Sequence, residues 1–287
     1  MPTLYVVATP IGNLGDMTPR AIETLKSVSL IAAEDTRVTQ KLLSAFDIHT
    51  PLTSCHEHNE RGKAAQIVRR MLEEDIDVAV TTDAGTPCIS DPGSALVRAA
   101  VESGIETVAV PGPTAMAAAL SVSGYEISEF TFFGFLPRQK GELKEKLLDM
   151  ARRSRLAVVH ESPHRVRELL ATVEETLPHT MVSASCDLTK KYEKTLRGPV
   201  AQVLEAIEQN PKAEKGEYCL VFEWAGEDIP APEAPKSTLS LEARLFDGLA
   251  RGMSLRESME EVTAQGERKN AVYAASLRVK QLMAAAE

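Results

Sequence analysis

Aromatic side chains and positive charge are both scarce in this chain of 287 residues. One tryptophan, five tyrosines and seven phenylalanines disfavour the base-stacking platforms that single-strand binders use. The formal net charge of −9 disfavours a protein that coats nucleic acid by bulk attraction. A local basic face is still compatible with that total, so the distribution of charge along the chain matters more than its sum.

Closely spaced cysteines and long apolar runs are also missing. The four cysteines lie far apart, without a Cys-x-x-Cys pair, so we expect separate thiols, no disulfide framework and no metal site. The longest apolar stretch, 115–122, is too short to span a bilayer. The first ten residues show no basic segment before an apolar run, so no signal peptide is predicted. We therefore expect a cytoplasmic protein with no membrane partner.

Short β-rich runs alternate with helical patterns through the first half of the chain. Thr18 and Pro19 are typical of a helix start, and Asp91-Pro92 repeats that pattern. Pro113 is expected to open a helix over 114–121. Such alternation predicts an α/β fold with a parallel, helix-covered sheet. The predicted strands are Leu4–Ala8, Leu30–Ala33, Val78–Thr82 and Thr107–Val110.

Each of these strands is followed by a loop rich in glycine, proline or acidic residues. The loops are 9–16, 34–37, 83–87 and 111–114. All four lie at carboxyl ends of strands, which is the edge where open α/β sheets bind ligands. No Gly-x-Gly-x-x-Gly follows the first strand and no P-loop is present, which disfavours a nicotinamide cofactor and triphosphate hydrolysis. The sequence therefore predicts one ligand cleft built by several loops.

The chain is predicted to divide into an α/β lobe over 1–122, a second α/β lobe over 123–225, a linker over 226–238 and a helical domain over 239–287. The second lobe has strand patterns at 131–135, 156–160, 182–186 and 218–222 and helical patterns at 140–153 and 164–176, and these patterns allow a parallel or a mixed sheet. In the tail, Ser254 and Glu257 form a capping-box pattern, Gly266 is a stop signal and Asn270 is a cap for a last helix. That pattern fits a helix-turn-helix or a plain helical hairpin.

Basic residues are concentrated between Arg138 and Arg167, where nine basic residues accompany four acidic ones. This excess predicts a rim that contacts phosphates, and a solvated helix with paired charges is the alternative. A small carboxylated substrate would also favour such a face. The residues chosen as RNA contacts are Arg138, Lys140, Lys144 and Arg165.

Eight motifs occur in order along about residues 3–224, and together they resemble the tetrapyrrole-methylase superfamily. They are VATPIGNL (7–14), AAEDTR (32–37), HEHNE (56–60), TDAGTPCISDPG (82–93), PGPTA (111–115), GFLPR (134–138), ESPHR (161–165) and KGEY (215–218). Within the superfamily they are most similar to the members that methylate small-subunit ribosomal RNA. One departure is Asp187, which stands where a glutamate is expected.

The resemblance implies a two-lobed class III methyltransferase fold with a small C-terminal helical domain. It implies S-adenosylmethionine as cofactor, the small ribosomal subunit RNA as partner and a homodimer. The implied activity is methylation of a cytidine 2′-oxygen in 16S rRNA, and methylation of a tetrapyrrole or corrin-like molecule is the alternative. A binding or regulatory protein that keeps the cleft without turnover is a further alternative from another class.

The resemblance also assigns cofactor contacts to three of the loops. Glycines there permit close backbone approach, prolines limit loop freedom, Asp83 can accept from a hydroxyl, and Thr86 and Thr114 can bond polar groups of the cofactor. The alternative is that they are ordinary turns between strands and helices. The chosen residues are Pro10, Ile11, Gly12, Asn13, Asp83, Gly85, Thr86, Pro87, Pro111, Gly112, Pro113, Thr114 and Ala115.

Attack by a ribose hydroxyl on the methyl carbon requires that the hydroxyl lose its proton, so a base or a nearby cation is expected. The candidates at the cleft edge are Glu34, Asp35, His56, His58, Glu161 and Lys190. From these we select His56 as the base, Lys190 as the cation and Asp35 as a further catalytic residue. The alternatives are a surface loop without a role for the histidines and an ion-pair cluster for 34–37.

Overall fold

The computed structural model describes residues 1–211, 213–226, 229, 239–265 and 267–284. These residues fall into two compact units, Met1–Ile229 and Pro230–Glu287. The linker predicted at 226–238 lies outside the described residues except for Gly226 and Ile229. Its proline-rich composition therefore stays a sequence-based prediction.

The first lobe is a five-stranded parallel sheet in the order β3-β2-β4-β1-β5. The predicted parallel α/β fold is confirmed, and the predicted strands are shifted by one residue at most. The elements are β1 (Thr3–Val7), α1 (Pro19–Ser27), β2 (Leu30–Ala33), α2 (Thr36–Ala45), β3 (Leu52–Ser54), α3 (Glu60–Glu74), β4 (Val78–Thr81), α4 (Ser94–Glu102), β5 (Glu106–Val110) and α5 (Ala115–Ser121).

Strands β2 and β4 are buried at every position, which shows that helices cover both faces of this sheet. The predicted start of α1 is confirmed, with Thr18 accepting from the backbone of the helix and proline at its first position. The predicted start at Asp91-Pro92 is wrong, because α4 begins at Ser94. The Glu60 carboxylate of α3 accepts hydrogen bonds from the amides at the start of α4 instead, and it therefore caps that helix.

The second lobe is a mixed five-stranded sheet in the order β6-β7-β10-β8-β9. Strands β6 and β7 are parallel, and the other neighbours are antiparallel, as the sequence allowed. Strand β9 and helix α8 were not predicted. The elements are β6 (Thr131–Phe135), α6 (Lys140–Arg153), β7 (Leu156–Glu161), α7 (Val166–Thr176), β8 (Met181–Cys186), β9 (Lys194–Pro199), α8 (Val200–Glu208) and β10 (Tyr218–Glu223).

Helix α5 joins the two lobes through an apolar cluster. Ala119 and Leu120 of α5 pack with Val158 of β7 and Val221 of β10, and Ile11 from the loop after β1 packs against the same cluster. Burial of these side chains holds the two sheets together and fixes the loops after β1 and β5 beside the second sheet.

The C-terminal unit contains three described helices, α9 (Leu241–Ala250), α10 (Leu255–Ala264) and α11 (Lys269–Ala284). The predicted capping box of Ser254 and Glu257 is confirmed at the start of α10. The predicted cap at Asn270 is wrong, because α11 begins one residue earlier. Gly266 lies outside the described residues. In the described part of the chain, no helix combines the length and apolar character needed to cross a bilayer.

Candidate functional site

A cavity of about 390 Å³ lies between the two lobes of the first unit. One wall comes from the loops after β1, β4 and β5, and the other comes from the ends of β6, β7 and β10. Its apolar lining includes Ile11, Ala115, Met116, Phe135 and Leu188. Polar groups are interspersed among them, so the cavity has the mixed character of a small-molecule site.

The loops of the first lobe are fastened to one another by backbone hydrogen bonds. The amide of Thr9 donates to the Gly85 carbonyl at 2.8 Å, and the Gly85 amide donates back to the Thr9 carbonyl at 3.0 Å. Gly85 has a φ of +91°, in the region that favours glycine. A Cβ at Gly112 would lie 2.9 Å from Cβ of Ala8, so this glycine allows two loops to pack closely. The wall is therefore preorganised by loop-to-loop contacts.

Five of the thirteen residues selected as cofactor contacts line the cavity, namely Ile11, Gly85, Thr86, Thr114 and Ala115. The other eight lie in the same loops without lining the cavity, and they are Pro10, Gly12, Asn13, Asp83, Pro87, Pro111, Gly112 and Pro113. Asn13, for example, uses its side-chain oxygen to accept from the Gly15 amide at 2.9 Å. The structure thus assigns to several of them a part in loop geometry.

Sequence reasoning missed most of the wall that the second lobe supplies. Phe135, His160, Glu161, Tyr218 and Cys219 line the cavity, and of these only Glu161 was a candidate. Two signals were available: the motifs at 134–138, 161–165 and 215–218 contain Phe135, Glu161 and Tyr218, and these residues lie at or near the ends of strands β6, β7 and β10. In a mixed sheet the second signal is weak, because β7 and β10 run in opposite directions.

Three carboxylates meet behind the loop after β4. The Glu34 carboxylate accepts from the Thr82 hydroxyl at 2.5 Å and from the Asp83 amide at 3.2 Å. Asp91 lines the cavity, and burial together with the nearby Glu34 raises its pKa to about 6. Burial also raises the pKa of Asp83. The first lobe therefore presents negative charge that a positively charged ligand would stabilise.

Beside the main cavity is a shallow pocket that includes Glu34, Asp35, Arg37, His56 and Asp83. The Asp35 carboxylate pairs with the Arg37 guanidinium at 2.6 Å, and the hydrogen bonds to Arg37 lower the pKa of Asp35 to about 2. A carboxyl group with so low a pKa is a weak proton acceptor at neutral pH. The geometry fits the ion-pair and capping alternative for this segment, because Asp35 also caps α2.

Of the two histidines of the HEHNE motif, His56 lines this pocket and His58 lines a separate one. A ring nitrogen of His56 is 3.1 Å from the Asn59 side-chain amide, and the His56 backbone amide donates to Asn59 at 2.9 Å. The rings of His56 and His58 meet edge to face, with centroids 6.0 Å apart. His56 is therefore held in one orientation in the pocket that also contains Glu34, Asp35 and Asp83.

Lys190 lies on the other side of the loop after β1. Its ammonium is 2.9 Å from both the Asp187 and Glu217 carboxylates. Burial lowers the pKa of Lys190, but the hydrogen bonds to Asp187 and Glu217 outweigh it and raise that pKa overall. The side chain is therefore a cation at neutral pH. The aspartate that departs from the expected motif still reaches this lysine. The lysine's carbon chain passes over Gly12, where an added Cβ would lie only 2.6 Å from Cγ of the lysine.

The basic segment around α6 is largely neutralised by ion pairs. Lys140 and Lys144 both pair with Glu175 of α7, at 3.0 and 2.5 Å. Arg138 is exposed at the start of this surface. Arg165 is half-buried and donates to the Leu136 and Pro137 carbonyls, so it lies behind the cavity wall instead of extending to solvent. The alternative of paired charges therefore accounts for much of the local excess.

Comparison with known proteins places this architecture in a family. Residues 3–204 match the family model of the Tetrapyrrole (Corrin/Porphyrin) Methylases. A solved diphthine synthase shares the fold, with a TM-score of 0.61, 10% identity and coverage of 78% of this chain and 90% of that one. The uroporphyrin-III-C-methyltransferase of Thermus thermophilus shares it with a TM-score of 0.52, 19% identity and coverage of 80% and 99%.

Two curated relatives are similar along nearly their whole length, and both are named ribosomal RNA small subunit methyltransferase I. The Bacillus subtilis protein is 40% identical over 262 residues, covering 91% of this chain and 89% of its own. The Vibrio cholerae protein is 40% identical over 276 residues, covering 95% and 93%. The chain therefore belongs to the tetrapyrrole methylases and, within them, to the ribosomal RNA small subunit methyltransferase I family.

Proteins of this family take their methyl group from S-adenosylmethionine, and the cavity suits that cofactor. Its volume is within the range of about 300–1,000 Å³ that small-molecule sites occupy. It offers apolar walls for the adenine, acidic groups for the positive charges, and the Thr114 hydroxyl at the start of α5. Glu161, whose buried carboxylate oxygen Oε2 lacks a partner within the protein, is also a lining residue. Among the described residues, no cluster of three His, Cys, Asp or Glu side chains is suited to hold a metal ion.

Proposed function

We propose that this protein transfers the methyl group of S-adenosylmethionine to the 2′-oxygen of a cytidine ribose in small-subunit (16S) ribosomal RNA. The observation that carries the proposal is the similarity at about 40% identity, over nine-tenths of both chains, to proteins named for small-subunit rRNA methylation. The tetrapyrrole alternative rests on the broader family model over residues 3–204 and on fold similarity at 19% identity. We also propose that the protein works as a homodimer in the cytoplasm.

The cavity residues would hold the cofactor in a fixed orientation. Ile11, Met116 and Leu188 give it apolar contact, Thr86 and Thr114 offer hydroxyl groups, and Asp91 faces its positive end. When bound, S-adenosylmethionine supplies an electrophilic methyl carbon. The main task of the chain is then alignment, which contributes about 7–11 kcal/mol in favourable cases. The eight selected residues that do not line the cavity would support this task by fixing the loops.

The proton of the ribose hydroxyl would pass to His56, which Asn59 holds in place. Lys190 would stabilise the negative charge that develops on the attacking oxygen, because it remains a cation beside the loop after β1. In this proposal Asp35 acts through Arg37, which its carboxylate orients beside the same shallow pocket. An oriented guanidinium is suited to a phosphate or hydroxyl of the RNA backbone.

The outer surface of the second lobe would contact RNA phosphates. Arg138 is exposed, and Lys140 and Lys144 share one glutamate, so two positive charges meet a single negative one there. Phosphates added at this surface would restore the charge balance. In this proposal the functions of cofactor binding and RNA contact are distributed over the predicted domains 1–122, 123–225 and 239–287.

The substrate class can be tested by offering both candidate substrates to the purified protein. Small ribosomal subunits from cells that lack the gene, and a carboxylated tetrapyrrole precursor, are each incubated with labelled S-adenosylmethionine. We expect label in the subunit RNA alone. Label in the tetrapyrrole, with none in RNA, would contradict the proposal. Lys190→Ala is the companion variant, and we expect it to lose transfer while keeping cofactor affinity.

A further inference from the structure

One carboxylate in the cavity wall has an oxygen that the protein leaves without a partner. The Glu161 side chain has no solvent exposure, and it lies at the end of β7 where the second lobe meets the cavity. Its Oε1 accepts from the Ser162 amide at 2.7 Å. Its Oε2 is buried and makes no hydrogen bond within the protein. A buried acceptor of this kind destabilises the protein unless a ligand donates to it.

The surroundings of Glu161 define the kind of donor that suits this oxygen. The Arg165 guanidinium is 3.6 Å from Oε1, so a positive charge already balances the carboxylate. A second cation, such as the ammonium of the cofactor's methionine part, would be repelled by that arginine. Asp91 in the opposite wall has a neighbour of like charge in Glu34 and suits the cationic groups better. The free oxygen of Glu161 therefore suits a neutral N–H donor.

The wall around Glu161 is also shaped for a flat ring. Phe135, Pro163, Tyr218 and Cys219 line the same side of the cavity. The Phe135 side chain is well exposed and tilts toward the His160 ring, with centroids 5.8 Å apart. Burial lowers the pKa of His160, which keeps its ring neutral. Aromatic, aliphatic and sulfur groups without charge are suited to the faces of a nucleobase.

We propose that Glu161 recognises the cofactor's adenine by accepting a hydrogen bond from its exocyclic 6-amino group. This inference rests on the proposed function, because it takes the cavity as the S-adenosylmethionine site. The adenine amine is the neutral N–H donor on the flat part of that cofactor, whereas the ribose carries hydroxyls and the methionine end is ionic. Arg165 acts as a positioning residue that stabilises the Glu161 carboxylate from behind.

The test measures binding by calorimetry, without turnover. The probes are S-adenosylhomocysteine and its analogue with hydrogen in place of the 6-amino group. We expect the wild-type protein to bind the analogue about ten-fold or more weakly, as a hydrogen bond to a charged acceptor predicts. In Glu161→Gln the ratio should fall to about three-fold, because the acceptor is then neutral. Glu145→Gln, at an exposed site on α6, should keep the wild-type ratio.

Two results would overturn the inference. Equal affinity of the wild-type protein for both probes would show that the 6-amino group makes no important contact, and this result does not depend on the folding of any variant. An unchanged ratio in Glu161→Gln would place that contact elsewhere, and a simultaneous loss of methyl transfer would assign Glu161 to the substrate. Failure of the wild-type protein to bind either probe would instead contradict the proposed function, so the two failures are distinguishable.

Discussion

At the scale of single residues, the account depends on a few close approaches in the first unit. Gly12 is the clearest one, because Lys190 lies over it and a methyl group there would be 2.6 Å from Cγ of the lysine. The loop after β1 and the turn that carries Lys190 are therefore matched to each other. Similar reasoning applies to Gly112 and Ala8, which bring the loops after β5 and β1 together.

We predict that Gly12→Ala displaces the Lys190 side chain and lowers kcat for methyl transfer by about ten- to a hundred-fold. The substitution should also destabilise the protein by about 1–3 kcal/mol, because Gly12 has a φ of +159° and the Leu188 carbonyl oxygen would lie 3.2 Å from the added Cβ. Activity assays and thermal unfolding measure the two effects. Gly141→Ala is the matched control, since no atom lies within 4 Å of an added Cβ there. An unchanged kcat in Gly12→Ala would remove Lys190 from the mechanism.

Asp91 leads to a prediction about pH. Burial and the nearby Glu34 raise its pKa from 3.8 to about 6, so its ionisation opposes folding. The unfolded chain loses this proton first, and stability therefore falls as pH rises from about 4 to about 6. Asp91→Asn removes that penalty and should stabilise the cofactor-free protein at pH 8 by about 1–2 kcal/mol, after an allowance for solvent screening.

Urea unfolding at pH 4 and pH 8 measures this difference. The gain from Asp91→Asn should shrink to about 0.5 kcal/mol at pH 4, where the wild-type carboxyl is protonated in the folded state and about half-ionised in the unfolded state. Glu145→Gln, at an exposed site, should show no such dependence on pH. A constant gain at both values would mean that the substitution acts through packing and that the carboxylate carries no penalty.

At the scale of elements, contacts between helices determine where some elements begin, and such contacts are not visible in the local sequence. The Glu60 carboxylate of α3 accepts from the Gly93 and Ala95 amides at 2.8 and 2.6 Å, and it thereby caps α4. Asp91-Pro92 predicted that start two residues too early, because the sequence gives no sign of a cap supplied from 33 positions away. Strand β3 has only three residues, all half-buried, so alternation of side chains could not reveal it.

We predict that Glu60→Ala destabilises the protein by about 1–3 kcal/mol, because two amides at the start of α4 lose a buried charged acceptor. Equilibrium urea unfolding measures the change. Glu73→Ala removes an exposed glutamate from the same helix and should cost less than about 0.5 kcal/mol. Equal effects of the two substitutions would show that the contact with α4 contributes little.

The basic surface of the second lobe gives a prediction that separates two arginines. Arg138→Ala should weaken binding to small-subunit RNA, with cofactor affinity unchanged. The slope of the logarithm of the binding constant against the logarithm of the salt concentration should decrease by about one. Arg165→Ala should weaken cofactor affinity as well, because Arg165 balances Glu161 in the cavity wall. Filter binding at several salt concentrations, together with calorimetry, measures both. Equal cofactor affinity in the two variants would contradict the assignment of Arg165 to the wall.

At the scale of the whole molecule, the fold was more predictable than the site. Hydrophobic runs and strand-to-helix alternation predicted the parallel sheet, because each buried strand is visible in the sequence as a short apolar run. The cavity needs two lobes, and its second wall comes from residues such as His160, Tyr218 and Cys219 that have no motif in common. The contacts of Lys190 with Asp187 and Glu217 depend on folding of the second lobe, so chain order could not reveal them.

The central claim, transfer to a ribose oxygen of ribosomal RNA, is tested most directly by locating the methyl group. Small subunits from cells that lack the gene are methylated with labelled S-adenosylmethionine, digested to nucleosides and analysed by mass spectrometry. The account predicts a single labelled 2′-O-methylcytidine and its loss in the Lys190→Ala variant. Label on a base, or label spread over many nucleotides, would contradict the account and would require a different acceptor atom beside the cavity.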